Sequence, residues 1–293
     1  MPEVGAELGI YFLVYTCTIF GRAGARLFLP VVALYYLVFN GTARDASRLW
    51  LEKIHGQGRV TLRMMHFHLL RFAQVSLDRL FFVRHQIWRF DITIHGEESL
   101  NLVRASGRGA IFLGAHMGSF EAMRVLADAN GAMVNILVYF RNAPMINSVL
   151  QKFDPDMKMR LIDINPGDVG FILKLKECIA RGEHVALLAD RIGLGGGSTK
   201  VDFMGEPAHF PNGVYVLAAM LRCPVYLLLA LHSGNKRYDL YCEKFADQIE
   251  LPRGARREGV AGYVQNFAHR LEHYGRMAPD NWFNFYDFWE PNP

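Results

Sequence analysis

Gly109-Ala-Ile-Phe-Leu-Gly-Ala-His116-Met-Gly-Ser-Phe-Glu121-Ala-Met-Arg124 carries the reading of the fold. Its first half is a short uncharged run of the kind that parallel sheets bury on both faces. Its second half has helical character, and a turn holding two glycines joins the halves. The pattern repeats outward. Residues 134–139, 185–189 and 225–231 are further apolar runs, while 120–130, 145–153, 169–181 and 212–221 read as helices. Strands alternating with helices predict an α/β fold, a mostly parallel central sheet flanked by helices. From 44 to 90 the periodicity is helical throughout, with Leu62, Met65, Leu69, Phe72, Val75 and Leu80 on one stripe. A last helix over 257–274 precedes an aromatic tail. No repeat, low-complexity tract or long linker interrupts the chain.

The chain has 293 residues, 51% of them hydrophobic and 20% charged, which excludes a disordered tail or a fibrous repeat. Cys17, Cys178, Cys223 and Cys242 are far apart with no CxxC spacing, which excludes a disulfide scaffold and a cysteine-rich zinc module. Net charge is +4, unevenly spread: residues 1–90 hold 11 Lys and Arg against 5 Asp and Glu, whereas residues 91–293 hold 21 against 23. Arginine dominates, 24 to 8 over lysine, and guanidinium binds phosphate oxygens bidentately.

What surrounds those arginines decides the partner. Residues 8–21 and 27–43 carry no charge, Arg22 and Arg26 lie between the runs, and Arg44 and Arg48 follow them. Neither run reaches the roughly 20 residues of a perpendicular spanning helix. Tyr11, Tyr15, Tyr35 and Tyr36 suit a headgroup level. A cleaved signal peptide fits poorly, because Glu3 and Glu7 stand where a basic region belongs. The expectation is a membrane-associating helical segment over 1–43, interfacial or short-spanning, with its arginines on lipid phosphates and the body on the cytoplasmic side. The competing reading is a pair of buried core helices. Residues 44–293 then form the catalytic body, 44–90 helical and 91–293 α/β, with membrane lipid rather than nucleic acid as partner.

In open α/β sheets, ligands sit beyond the carboxyl ends of strands. His116 lies there, with Glu121 in the first turn of the next helix. A carboxylate on one imidazole nitrogen sets the tautomer and supports the cation formed when the other nitrogen takes a proton. The glycines would let Glu121 reach back to the ring, and the helix start would offer amides to an oxyanion. On spacing alone, a capping Glu with an incidental His explains the same residues.

Neighbouring blocks add to this. Arg108-Gly-Ala-Ile-Phe-Leu-Gly-Ala-His116-Met-Gly-Ser-Phe-Glu121 resembles the His-x4-acid block of the glycerolipid acyltransferase superfamily, and within it the late lipid A (lauroyl/myristoyl) acyltransferases, which carry Glu at the acidic position. Val138-Tyr-Phe-Arg141-Asn-Ala-Pro144 resembles their Tyr-Arg-Pro segment, and Gly182-Glu-His-Val-Ala-Leu-Leu-Ala-Asp190-Arg191 their strand ending in Asp. Val201-Asp-Phe203-Met-Gly205-Glu-Pro-Ala-His-Phe-Pro211-Asn-Gly213 resembles their Phe-Gly…Pro-x-Gly block, and Cys223-Pro224-Val225 their Pro-Val block. Arg191 and the tail Asn281-Trp-Phe-Asn-Phe-Tyr-Asp-Phe-Trp289 depart from the lipid A enzymes and look more like a divergent branch, some of whose members are associated with specialised lipids or aryl polyenes.

The resemblance implies transfer of a fatty acyl group from an acyl carrier protein or coenzyme A thioester to a hydroxyl or amine of a lipid acceptor, at the cytoplasmic face of the bacterial inner membrane. No metal or other cofactor is implied. An alcohol attacks an acyl carbon only as a base removes its proton, which gives His116 the role of general base and Glu121 that of orienter. Asp190 and Arg191 would sit beside His116, with Arg191 gripping a phosphate of acceptor or donor; a surface Asp–Arg pair is the plainer reading. Arg141 is as readily a phosphate contact as a solvated charge. Phe203, Gly205, Pro211 and Gly213 would close over the acyl chain, and the aromatic tail would pack under the site or against lipid.

Other signals carry less. His269-Arg-Leu-Glu272-His273 has the H-x-x-E-H order, so a metal-dependent membrane hydrolase is the alternative, with a non-catalytic lipid-binding protein as a third reading. Gly193 to Ser198 lacks the last glycine of a dinucleotide fingerprint. His66-Phe-His68 reads as a packed or solvated pair, and no G-x-S-x-G elbow is present.

Overall fold

A computed structural model describes residues 4–84, 86–123, 133–138, 161–163, 170–193, 197–252, 254 and 256–289. Arg141 and the expected helix over 145–153 lie outside them. Helices α1 (Val4–Phe39), α2 (Gly41–His55) and α3 (Leu62–Val83) come first, with Asn40 capping α2 and Thr61 capping α3 through their side chains. Then follow β1 (Asp91–His95), α4 (Glu97–Ala105), β2 (Ile111–Gly114), β3 (Val134–Val138), β4 (Leu161–Asp163), α5 (Gly170–Ala180) and β5 (His184–Leu188). A hairpin of β6 (Ser198–Phe203) and β7 (Glu206–Pro211), then α6 (Gly213–Leu221), β8 (Val225–His232), β9 (Arg237–Ala246) and α7 (Arg256–Met277) complete it.

The main sheet has seven strands in the order β1-β9-β8-β2-β5-β3-β4. Every neighbouring pair is parallel except β8 with β9. The expected α/β architecture is therefore present, with four apolar runs as its interior: every residue of β2 and β8 is buried. The strands β1 and β9 were not among the expected elements. β9 alternates buried and accessible residues along Arg237-Tyr-Asp-Leu-Tyr-Cys, the period of an antiparallel strand rather than a continuous apolar run.

Helix α1 kinks at Gly21, whose φ of 64° suits glycine. Beyond the kink it lies on α3 and buries Ala25, Leu29, Ala33 and Leu37, one residue per turn. Its other side leaves Leu27 (78%), Val31 (67%), Leu34, Tyr35, Val38 and Phe39 exposed. The segment from Gly21 to Phe39 is long and apolar enough to cross a membrane and is 28% buried against the body. So the anchor and core-helix readings each describe one face of one helix. The expected boundary at 43 falls inside α2, and the residues before it contribute to the common core.

The arginines correct the sequence reading. Arg22 is buried rather than lipid-facing: its Nε and Nη2 donate to Asp78 Oδ1 and Oδ2 at 2.7 and 2.8 Å, and Tyr238 Oη donates to the same carboxylate at 3.0 Å. The cause is the sharp Gly21 kink, which turns the following residue inward against α3. Arg26 is half-buried, and Arg44 pairs with Asp45. Arg48 remains exposed.

Candidate active site

Strands β2 and β5 are parallel neighbours, with Gly114 opposite Leu188. Two residues past each lie His116 and Asp190, so the sheet brings together side chains 74 positions apart. The His116 Nδ1 stands 2.8 Å from Asp190 Oδ1, and the His116 main-chain N–H donates to Asp190 Oδ2 at 2.9 Å. A carboxylate accepts only, so Nδ1 carries the proton and Nε2 keeps its lone pair. The His116 side chain is 30% exposed, and Asp190 is wholly buried.

Burial by itself would raise the Asp190 carboxyl, but His116, its ring and main-chain N–H groups and the nearby Arg191 charge outweigh it, holding Asp190 down at about 2. Asp190 is an anion throughout the physiological range.

Glu121 is not the partner of His116, contrary to expectation. Its carboxylate turns away and pairs with Arg79 Nη2 of α3 at 2.5 Å. The cause is the path of the turn. Gly118 has φ 67°, and a Cβ there would meet the Ala230 carbonyl oxygen at 1.9 Å. The glycine therefore serves to seat the loop on β8, where Ser119 N donates to Ala230 O at 2.8 Å. A chain laid flat on β8 sends Glu121 toward α3. Three of the amides around the helix start are engaged within the fold: Gly118 N donates to Asn281 O at 2.8 Å, Ser119 N to Ala230 O and Ala122 N to Ser119 Oγ at 3.1 Å.

Arg191 is likewise committed within the fold. Its Nε donates to Asn284 Oδ1 at 2.6 Å and its Nη2 to Phe283 O at 2.7 Å, with the guanidinium 5.6 Å over Tyr286. A fork with two of its donors and one face so engaged is an anchor for the tail, not an open phosphate grip. Phe203, expected over the acyl chain, is fully buried in an aromatic cluster, its ring 5.4 Å from Trp282 and 6.2 Å from Trp50. Gly205 forms the β6–β7 turn with Met204, both at positive φ, while Pro211 ends β7 and Gly213 opens α6. This segment is a supporting hairpin rather than a cover, because Phe203 and Phe210 point into the core.

The aromatic tail packs beneath the site, as one of the expected readings had it. Trp282, 1% exposed, lies against Trp50 at 4.5 Å, and its Nε1 donates to Asp190 Oδ2 at 3.1 Å. His68 is fully buried; its Nδ1 meets Ser47 Oγ at 3.0 Å and its Nε2 the Trp282 carbonyl at 2.8 Å. A carbonyl requires a donor, so Nε2 carries the proton, and burial pulls the ring down to about 4, keeping it neutral. No local spacing marks Trp282, Asn281 or His68 as site neighbours; for Trp282 and Asn281 the signal is the concentration of aromatics in the tail, and for His68 the sequence offers none. Of the H-x-x-E-H residues, His269 meets Gln265 and Glu272 accepts from the Met204 amide in the hairpin turn. Among the described residues no group of three or more His, Cys, Asp or Glu is placed to hold a metal ion.

Beside the His116 loop, Phe112, Gly114, Val134, Ala186 and Leu228 of the sheet, with Phe120 and Met123, enclose a small apolar void, about the size of a water molecule and too small for an acyl chain. The His116–Asp190 pair lies at the carboxyl edge of a parallel sheet, in a chain that falls in the class of acyltransferases acting on lipid. Residues 19–290 match the family model described as bacterial lipid A biosynthesis acyltransferase, and the chain belongs to that family. No curated protein matches the chain.

Proposed function

We propose that the protein moves a fatty acyl group from an acyl carrier protein or coenzyme A thioester to a hydroxyl or amine of a lipid acceptor, with His116 as general base and Asp190 as its orienter. The observation that carries this is the His116–Asp190 pair with Nε2 left accessible. Nε2 takes the acceptor proton as oxygen or nitrogen attacks the thioester carbon; the imidazolium then returns it to the leaving thiolate. Asp190 stabilises the cation without itself taking the proton. Glu121 acts at one remove, fixing the helical turn to α3 through Arg79.

The direct test supplies purified protein in lipid vesicles with a radiolabelled acyl thioester, carried on acyl carrier protein or on coenzyme A in separate arms. Label appearing in extracted lipid together with free thiol is the expected result. Thiol release with label only in free fatty acid would make the protein a thioesterase and overturn the reading.

The exposed face of α1 supports attachment to the cytoplasmic leaflet of the inner membrane, lying in the interface rather than free of the body. Leu27→Glu, Val31→Glu and Leu34→Glu combined should move the protein from the vesicle-bound to the free fraction while leaving its melting temperature unchanged, because these positions are already exposed. Unaltered co-flotation with vesicles would refute an interfacial role for this face. Deleting residues 1–43 is a poorer probe, since it also removes Ala25, Leu29 and Arg22 from the core.

A further inference from the structure

We propose that Trp282 is a positioning residue for proton transfer, tuning Asp190 through its indole N–H; the inference rests on His116 being the base. The Asp190 carboxylate has two oxygens with different duties. Oδ1 faces the imidazole alone, while Oδ2 takes both the His116 main-chain N–H and the Trp282 Nε1–H. With Oδ2 doubly bonded, the carboxylate has one rotation left to it, and that one presents Oδ1 to Nδ1.

The residues on either side of Trp282 also brace the His116 loop through their main chain. Asn281 O accepts from Gly118 N, and Phe283 N donates to His116 O at 2.7 Å, so the Trp282 backbone bridges Met117 in antiparallel fashion. Asn281 in turn is pinned by its side chain to both N and O of His232 at the end of β8. Trp282 O accepts from His68, and its ring is held by Trp50, Phe203 and Phe288. One short segment thus touches both halves of the pair, Trp282 through its indole on Asp190 and Phe283 through its main-chain N–H on the His116 carbonyl.

The electrostatic consequence has a definite sign. An N–H on Oδ2 spreads the negative charge and lowers the basicity of the carboxylate. Removing it concentrates charge on Asp190 and strengthens its attraction for the imidazolium relative to the neutral ring. A general base works in its neutral form, so the acid limb of kcat/KM must move to higher pH. The carboxylate, fixed at Oδ2 by one bond instead of two, is also free to turn Oδ1 away from Nδ1, and this loss of orientation lowers kcat.

Two full-length variants test this: Trp282→Phe, and the chain with benzothienylalanine at 282, which keeps the shape of indole but has sulfur in place of N–H. The acid limb should rise by about half a pH unit or more and kcat fall roughly tenfold, with KM unchanged. If the phenylalanine variant fails to fold, the isostere decides. A benzothienylalanine protein with the parent pH profile and kcat would overturn the inference and leave Trp282 as packing. Full activity of His116→Ala would instead sink the acyl-transfer reading beneath it, so the two failures are distinguishable.

Discussion

Asp190→Asn is expected to lower kcat by about 10²- to 10⁴-fold, as loss of an oriented base does, with the protein folded and lipid binding retained. The substitution keeps the volume and removes both the charge and the acceptor character of one oxygen. If the amide NH2 faces Nδ1, the ring must carry its proton on Nε2, and Nε2 then has no lone pair for the acceptor. His116→Ala should fall by a similar factor, and the double variant should be little worse than either single one, because the two residues act as a unit. Glu121→Gln distinguishes the geometry from the sequence reading. Its partner is Arg79 at 2.5 Å, so it should lose far less than Asp190→Asn. Steady-state kinetics on the four proteins decide: a Glu121→Gln loss equal to that of His116→Ala, with Asp190→Asn near the parent, would restore Glu121 as the orienter.

The second large effect is on stability. Arg22 and Asp78 are 7% and 1% exposed and joined by two hydrogen bonds, with Arg22 also 5.1 Å from the Phe90 ring. Asp78→Ala leaves a guanidinium buried without its counter-charge, a change that costs about 3–5 kcal/mol. Each kcal/mol is worth roughly 2–4 °C in a domain of this size, so the thermal midpoint should drop by about 10 °C. Replacing both, Arg22→Met with Asp78→Leu, should recover most of the loss, since apolar residues of similar volume commonly substitute for buried pairs. A single variant that melts with the parent would show that Arg22 finds water or lipid when Asp78 is gone. The pair also explains why α1 is part of the body: this ion pair and the Ala25–Leu37 stripe both fix it to α3.

How legible these features were in the sequence depended on distance along the chain. Runs such as Ile111-Phe-Leu-Gly114 and Val225 to His232 announce themselves, because a strand buried on both faces must be apolar at every position. The edge strand β1, Asp-Ile-Thr-Ile-His, alternates exposed with half-buried residues, a period-2 β-branched pattern that a search for continuous apolar runs passes over. His116 was readable from its place after β2. Its partner was not, because Glu121 is five residues away and Asp190 is 74, and only the β2–β5 register decides between them. Asp190 and Arg191 were singled out together, yet their roles diverge: one holds the imidazole, the other the tail. Arg22 shows the same limit. An arginine between two apolar runs reads as a headgroup contact until Asp78, 56 positions later, is seen to meet it.

The bridge between Met117 and Trp282 also bears on when the site comes into being during synthesis. A ribosome makes the chain from its amino end, and β2, β5 and the loops holding His116 and Asp190 emerge well before residues 281–284. Until that segment arrives, Oδ2 of Asp190 lacks its indole donor, and the His116 carbonyl and the Gly118 amide have no partner on this side. The nascent protein therefore carries His116 for some time without the brace that holds its loop.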